Sequence, residues 1–129
     1  MRAGSSPSAS AAETAEVARL LRESMDAGAF GFTTTSASQH LGYKGRPLAC
    51  RLASNDELRA YSRVLKDVGR GSIEIALTSE ASRVNASERA LLEMFLAESG
   101  RPVTWLGLLN RDDDPECVQN TLAQTSDLI

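Results

Sequence analysis

Apolar residues recur along this chain in two alternating rhythms, one of helical period and one of strand period. From Ala12 onward Val17, Leu20, Leu21 and Met25 share one helical face, with Arg19, Arg22 and Glu23 on the other. Gly28 supplies the left-handed residue on which such a helix closes, and a short strand is predicted over residues 29–34. A second helix opens at Ser54-Asn55-Asp56-Glu57, a capping box in which the serine hydroxyl and the glutamate carboxylate each satisfy an orphaned backbone amide. Leu58, Tyr61, Leu65 and Val68 mark its buried face, and Gly69-Arg70-Gly71 ends it. Residues 72–78 then alternate strictly, with Ile73, Ile75 and Leu77 on one face and Ser72, Glu74, Ala76 and Thr78 on the other.

The same sequence of signals repeats once more. Asn85 and Glu88 cap a third helix through Leu91, Leu92, Phe95 and Leu96 to Gly100, and residues 103–109 form an apolar run of the kind expected of a buried parallel strand. Asp114-Pro115 predicts an N-cap and first turn for a last helix through Val118 and Leu122. Helices and strands thus alternate, which predicts an α/β fold with right-handed crossovers and about three parallel strands among four helices. An eight-stranded barrel takes about 250 residues, so a chain of 129 corresponds at most to part of one. Residues 1–11 are Ser/Ala-rich, carry little to bury, and are expected to be a disordered lead-in to a single unit spanning 12–129.

Composition narrows the function only by exclusion. At 42% apolar and 24% charged residues the chain has the balance of a globular domain. Its formal net charge of −3 offers no general attraction for nucleic acid or an anionic membrane surface. No apolar run reaches the roughly 20 residues of a spanning helix, no secretory leader is evident, and Cys50 and Cys117 are far apart and outside any metal-binding spacing. A cytoplasmic protein with free thiols is the expectation.

Three groups of residues could hold chemistry. Thr33 and Thr35, with Gly31, and Glu74 and Thr78 share the strand faces that point away from the predicted helices. A glutamate buried there needs a partner, so Glu74 is either a ligand or base, or the partner of an arginine. The connection over residues 35–53 is far longer than usual and holds the only histidine, His40, with Tyr43, Lys44, Arg46, Cys50 and Arg51. That mixture suits a substrate loop and equally an exposed one, and a lone histidine is either an acid, base or ligand, or simply solvated. Asp112, Asp113, Asp114 and Glu116 gather at a predicted helix start, where the helix dipole accounts for them better than a cation site does. The phosphate-binding glycine loops, the nucleophile elbow and paired-histidine metal motifs are all absent.

The segment Leu21-Arg22-Glu23-Ser24-Met25-Asp26-Ala27-Gly28-Ala29-Phe30-Gly31-Phe32-Thr33-Thr34 resembles the "aMdAGAxGfSt" stretch of the N-acyl-D-amino-acid deacylase group of the amidohydrolase superfamily. Gly45-Arg46-Pro47, Asp56-Glu57-Leu58, Gly69-Arg70-Gly71 and Gly100-Arg101-Pro102-Val103-Thr104 follow in the same order of landmarks. The resemblance implies a central fragment of a (β/α)₈ barrel from an enzyme that uses zinc or a similar metal to hydrolyse the acyl amide of a D-amino acid. It implies a small-molecule amide substrate, with Thr33, Thr34, Thr35, His40 and Glu74 as substrate-contacting groups. Family members place metal-binding histidines on the two strands that here hold Ala76 and Gly107 instead, so no metal is expected to bind this chain and the piece should be inactive alone. Self-association through open barrel edges is the accompanying expectation. The alternative is a small self-sufficient α/β module that binds a ligand or partner without catalysis.

Overall fold

The computed structural model of the protein describes residues 8–77 and 83–128. The first part of the expected lead-in, residues 1–7, and Thr78 lie outside the described residues. Four α-helices are present among the described residues, α1 (Ala11–Asp26), α2 (Asn55–Val68), α3 (Ala86–Ser99) and α4 (Cys117–Thr125), together with three strands, β1 (Gly31–Thr35), β2 (Ser72–Ala76) and β3 (Val103–Leu106). Short 3₁₀ turns occupy Tyr43–Gly45, Ala49–Leu52 and Ser126–Leu128.

Local sequence chemistry sets these boundaries. Three helices start on complete capping boxes, Ser10 with Glu13, Ser54 with Glu57 and Asn85 with Glu88. The first of these starts α1 at Ala11, one residue ahead of the expected Ala12, because Ser10 receives the Glu13 amide and Glu13 receives that of Ser10. Gly69 and Gly100 close α2 and α3 in the left-handed conformation, as their sequence context requires. The expected Asp114 cap is not formed. Helix α4 begins at Cys117 behind Glu116 without a side-chain cap, since the Asp114 carboxylate is engaged by Arg83 at 2.6 Å and Asp113 by Arg111 at 2.5 Å. Ion pairing therefore accounts for Asp113 and Asp114, while Glu116 stands at the start of α4.

The strands form one parallel sheet in the order β1-β2-β3, with Phe32 beside Ile73 and Ile73 beside Val103, and Thr34 beside Ile75 and Ile75 beside Trp105. Both crossovers step in the same direction, and a right-handed crossover then puts its helix on the same side each time. The core follows from this. Ile73 and Ile75 of β2 and Leu77, the residue after the strand, meet Leu58 and Leu65 of α2, Leu92 and Phe95 of α3, and Met25 of α1 in one buried cluster. Phe32 packs edge-on against Phe95 and Tyr61, with ring centroids 6.2 and 6.3 Å away. Each fully buried aliphatic side chain here contributes about 1.5–3 kcal/mol. Among the described residues no helix covers the opposite face, and Thr33, Glu74 and Thr104 are exposed there.

The third strand differs from its expectation. It ends at Leu106, and the apolar run is an edge strand and its exit, with Leu106, Leu108 and Leu109 exposed at 52%, 42% and 59%. Length and composition of the run suggested burial on both faces, but with helices on one side only, alternate positions are left open. No helix among the described residues is long and apolar enough to cross a membrane.

Gly31 fixes where β1 meets β2. At φ +145° it brings its backbone so close to β2 that a Cβ would lie 1.8 Å from the Ser72 carbonyl oxygen, whereas a Cβ at Gly28, at φ +107°, would meet nothing within 4 Å. Gly31→Ala should therefore destabilise the protein by about 3 kcal/mol or more, and Gly28→Ala by about 1 kcal/mol from backbone strain alone, as read from urea denaturation.

Arginine and acid pairs tie the helices together at the surface. Arg63 holds Glu98 at 2.8 Å across α2 and α3, and Arg89 holds Asp127 at 2.7 Å between α3 and the final turn. Hydrogen bonds from Arg63 and from Arg89 lower the two carboxyls below their usual range. A lowered folded-state value makes the stabilisation present above the unfolded carboxyl's pKa and lost as pH falls through the folded one. Thermal melting should accordingly fall as pH drops below about 4, the range of the unfolded carboxyls. Glu98→Gln with Asp127→Asn should flatten that fall relative to the parent chain.

Candidate functional site

In a parallel sheet the loops leaving the strand C-termini gather at one edge, and that edge holds a hydrogen-bonded polar cluster here. Thr35 ends β1 and is buried. Its Oγ1 lies 2.8 Å from His40 Nδ1, accepts the Ala37 N–H at 3.1 Å, and lies 3.4 Å from the Ala76 carbonyl at the end of β2. His40 is half-buried; its own N–H donates to the Ala37 carbonyl at 3.1 Å, and Arg51 Nη1 donates to the His40 carbonyl at 3.2 Å. The connection thus touches the sheet at its two ends, at His40 and the Ala49–Leu52 turn, while Leu41 and residues 43–50 are exposed. A Leu41–Pro47 bridge and a Gly42 amide to Arg46 carbonyl bond of 2.7 Å close its tip, and the Ala49–Leu52 turn lies against β1.

The Thr35 hydroxyl gives the imidazole two satisfied states. Where the ring proton sits on Nε2, the hydroxyl donates to Nδ1; where it sits on Nδ1, Nδ1–H donates to Oγ1 and the hydroxyl hydrogen turns to the Ala76 carbonyl. Either tautomer keeps the His40 ring hydrogen-bonded to Thr35. Its Nε2 has no hydrogen-bond partner among the described residues.

A second polar feature crosses the open face. Thr33, Glu74 and Thr104 are neighbours in register on the three strands and all exposed, about 4.8 Å from strand to strand. Glu74 is therefore not the buried carboxylate that would demand an arginine, and it has no ion-pair partner among the described residues. Thr35 lies on the same face, one step nearer the loop edge. Of the residues singled out from sequence, Thr33, Thr35, His40 and Glu74 belong to this surface and edge. Thr34 does not: it is paired with Ile75 on the helix side and lines an apolar cavity there. Thr104 was not singled out, because the alternation that exposes it is hidden inside an apolar run of leucines and tryptophan.

Among the described residues no group of three or more His, Cys, Asp or Glu side chains is placed to hold a metal ion. Ala76 and Gly107 offer no donors, His40 Nδ1 is engaged by Thr35, and Glu74 stands alone on its face. Cys50 is exposed, and Cys117 is buried with its Sγ 3.1 Å from the Leu109 carbonyl. This donor set does not fit a catalytic metal.

No family model, curated protein or solved structure matches the chain. What the site can do is argued from its own geometry: hydroxyls and a carboxylate on an open sheet face, and a hydroxyl-held imidazole at its loop edge.

Thr35→Val keeps the shape and removes the hydroxyl. It should destabilise the protein by about 1–3 kcal/mol, because the Ala37 amide and His40 Nδ1 lose their buried partner. It should also change the Nδ1 and Nε2 nitrogen shifts of His40 in an NMR spectrum of the imidazole.

Proposed function

We propose that this chain is one sector of a (β/α) barrel related to N-acyl-D-amino-acid deacylases, supplying substrate-contacting groups to an amide hydrolase rather than its metal ligands. The observation that supports this reading is the exposed row Thr33, Glu74 and Thr104 on the uncovered face of a sheet whose strands follow in simple sequence order. That face corresponds to a barrel interior, and the Thr35–His40 edge to the end where barrel enzymes hold substrate. The hydroxyls of Thr33 and Thr104 suit a substrate carbonyl or carboxylate, and the Glu74 carboxylate suits an amide N–H. His40 would offer its Nε2 to the substrate at the rim. Zinc or a similar divalent ion, where the complete enzyme uses one, would be held by residues of other sectors. The reading assigns the protein to the cytoplasm and to a small-molecule amide, and it makes the free edges of β1 and β3 sites of self-association.

A self-sufficient module that binds a ligand without catalysis is the second reading, favoured by the continuous core and the three complete capping boxes. Sedimentation and a hydrolysis assay separate the two. The sector reading expects no turnover of N-acetyl-D-amino acids with added zinc, concentration-dependent association, and amide shift changes at Thr33, Glu74 and Thr104 with the N-acetyl-D-amino acid that Glu74→Gln weakens. Robust turnover by the chain alone would refute it. A strictly monomeric chain that unfolds cooperatively and ignores the N-acetyl-D-amino acid favours the module.

A further inference from the structure

Behind β1, on the helix side of the sheet, α1, α2 and the Ala49–Leu52 turn leave an apolar cavity of about 320 Å³. Val17, Phe32, Ala53, Leu58 and Tyr61 wall it, and Glu57 faces it. A second cavity of about 510 Å³ adjoins on the α1 side and shares Val17, Ala53 and Glu57. Volumes of this size accept small molecules, and the walls of the first are almost wholly hydrocarbon and aromatic, while Ser8 and Glu13 add polar surface to the second.

The unusual member is Glu57, which is only 7% exposed. Capping accounts for one of its oxygens, Oε2, which accepts the Ser54 N–H at 2.8 Å. The other, Oε1, has only a long contact of 3.4 Å from the Tyr61 hydroxyl, and no described cation pairs with the carboxylate. Burial, and then the nearby Glu57 charge, push the Tyr61 hydroxyl above its usual range. A buried carboxylate of this kind is incompletely compensated, and it faces space rather than packed protein.

We propose that this cavity is a binding site for a small organic ammonium ion with an apolar or aromatic body. The ammonium would donate to Glu57 Oε1, and the body would replace water against Phe32, Leu58 and Tyr61. The Tyr61 ring adds a face on which the cation is favoured. The cavity lies on the helix side of the sheet and shares only Thr33 with the groups of the amide-hydrolase reading, so it goes beyond that reading, and its charged group, Glu57, plays no part in it.

The test is a calorimetric and NMR titration of the full chain with 2-phenylethylamine, its neutral counterpart 2-phenylethanol, and 3-phenylpropionate. The amine should bind about tenfold or more tightly than the alcohol, as one charge-assisted hydrogen bond implies, and the carboxylate should not bind. Glu57→Gln keeps the capping geometry and should erase the preference of amine over alcohol while leaving the helical circular dichroism unchanged. Ala53→Leu fills the cavity and should remove binding of both. Equal binding of amine and alcohol, no binding of the amine at millimolar concentration, or a preference that survives Glu57→Gln would overturn the proposal.

Discussion

The direction of the two crossovers is the constraint on which the rest of this structure depends. Because β1, β2 and β3 follow one another in order and in parallel, right-handed connections place both crossover helices, α2 and α3, over the same face. That single fact divides the chain into a helix side, where Ile73, Ile75, Phe95 and Met25 exclude water, and an open side that must be polar to face it. Had the strand order reversed midway, both faces would have been covered and the row Thr33, Glu74, Thr104 would have been a buried liability. The Thr35–His40 pair sits where the two sides meet, at the loop edge.

Much of this division was legible in the residues themselves. The alternation of 72–77 assigns Ile73 and Ile75 to one face and Glu74 to the other without any tertiary information, and the structure keeps that assignment. The boxes at Ser54 and Asn85 were visible because serine or asparagine precedes glutamate by three residues at the head of an apolar rhythm. The box at Ser10 has the same form and was obscured by the Ser/Ala-rich stretch in which it stands.

What sequence could not give depends on contacts distant along the chain. Thr34 belongs with the threonines around it by type, but its pairing with Ile75 turns it to the helix side. The exposure of Leu106, Leu108 and Leu109 follows from β3 being an edge strand, which composition does not record. Asp114 has the form of a helix cap, and only the position of Arg83, thirty-one residues earlier, decides that it is an ion-pair partner instead. His40 gains its meaning in the same way, since its hydroxyl partner is five residues back and the alternative acceptor lies on another strand.

The simple strand order also shapes how the chain holds together over time. Helix α2 touches α1 on one side and α3 on the other, and among the described residues β2 alone is a strand bonded on both edges. Cohesion is therefore a matter of neighbours in a row, much as in a solenoid, and not of a centre that every element reaches. In such an arrangement unravelling starts at the outer members and moves inward, so the amide hydrogens of β2 should outlast those of β1 and β3 in exchange with solvent. The middle unit acts as a keystone, and a further unit added beside either outer strand would turn that strand into an inner one.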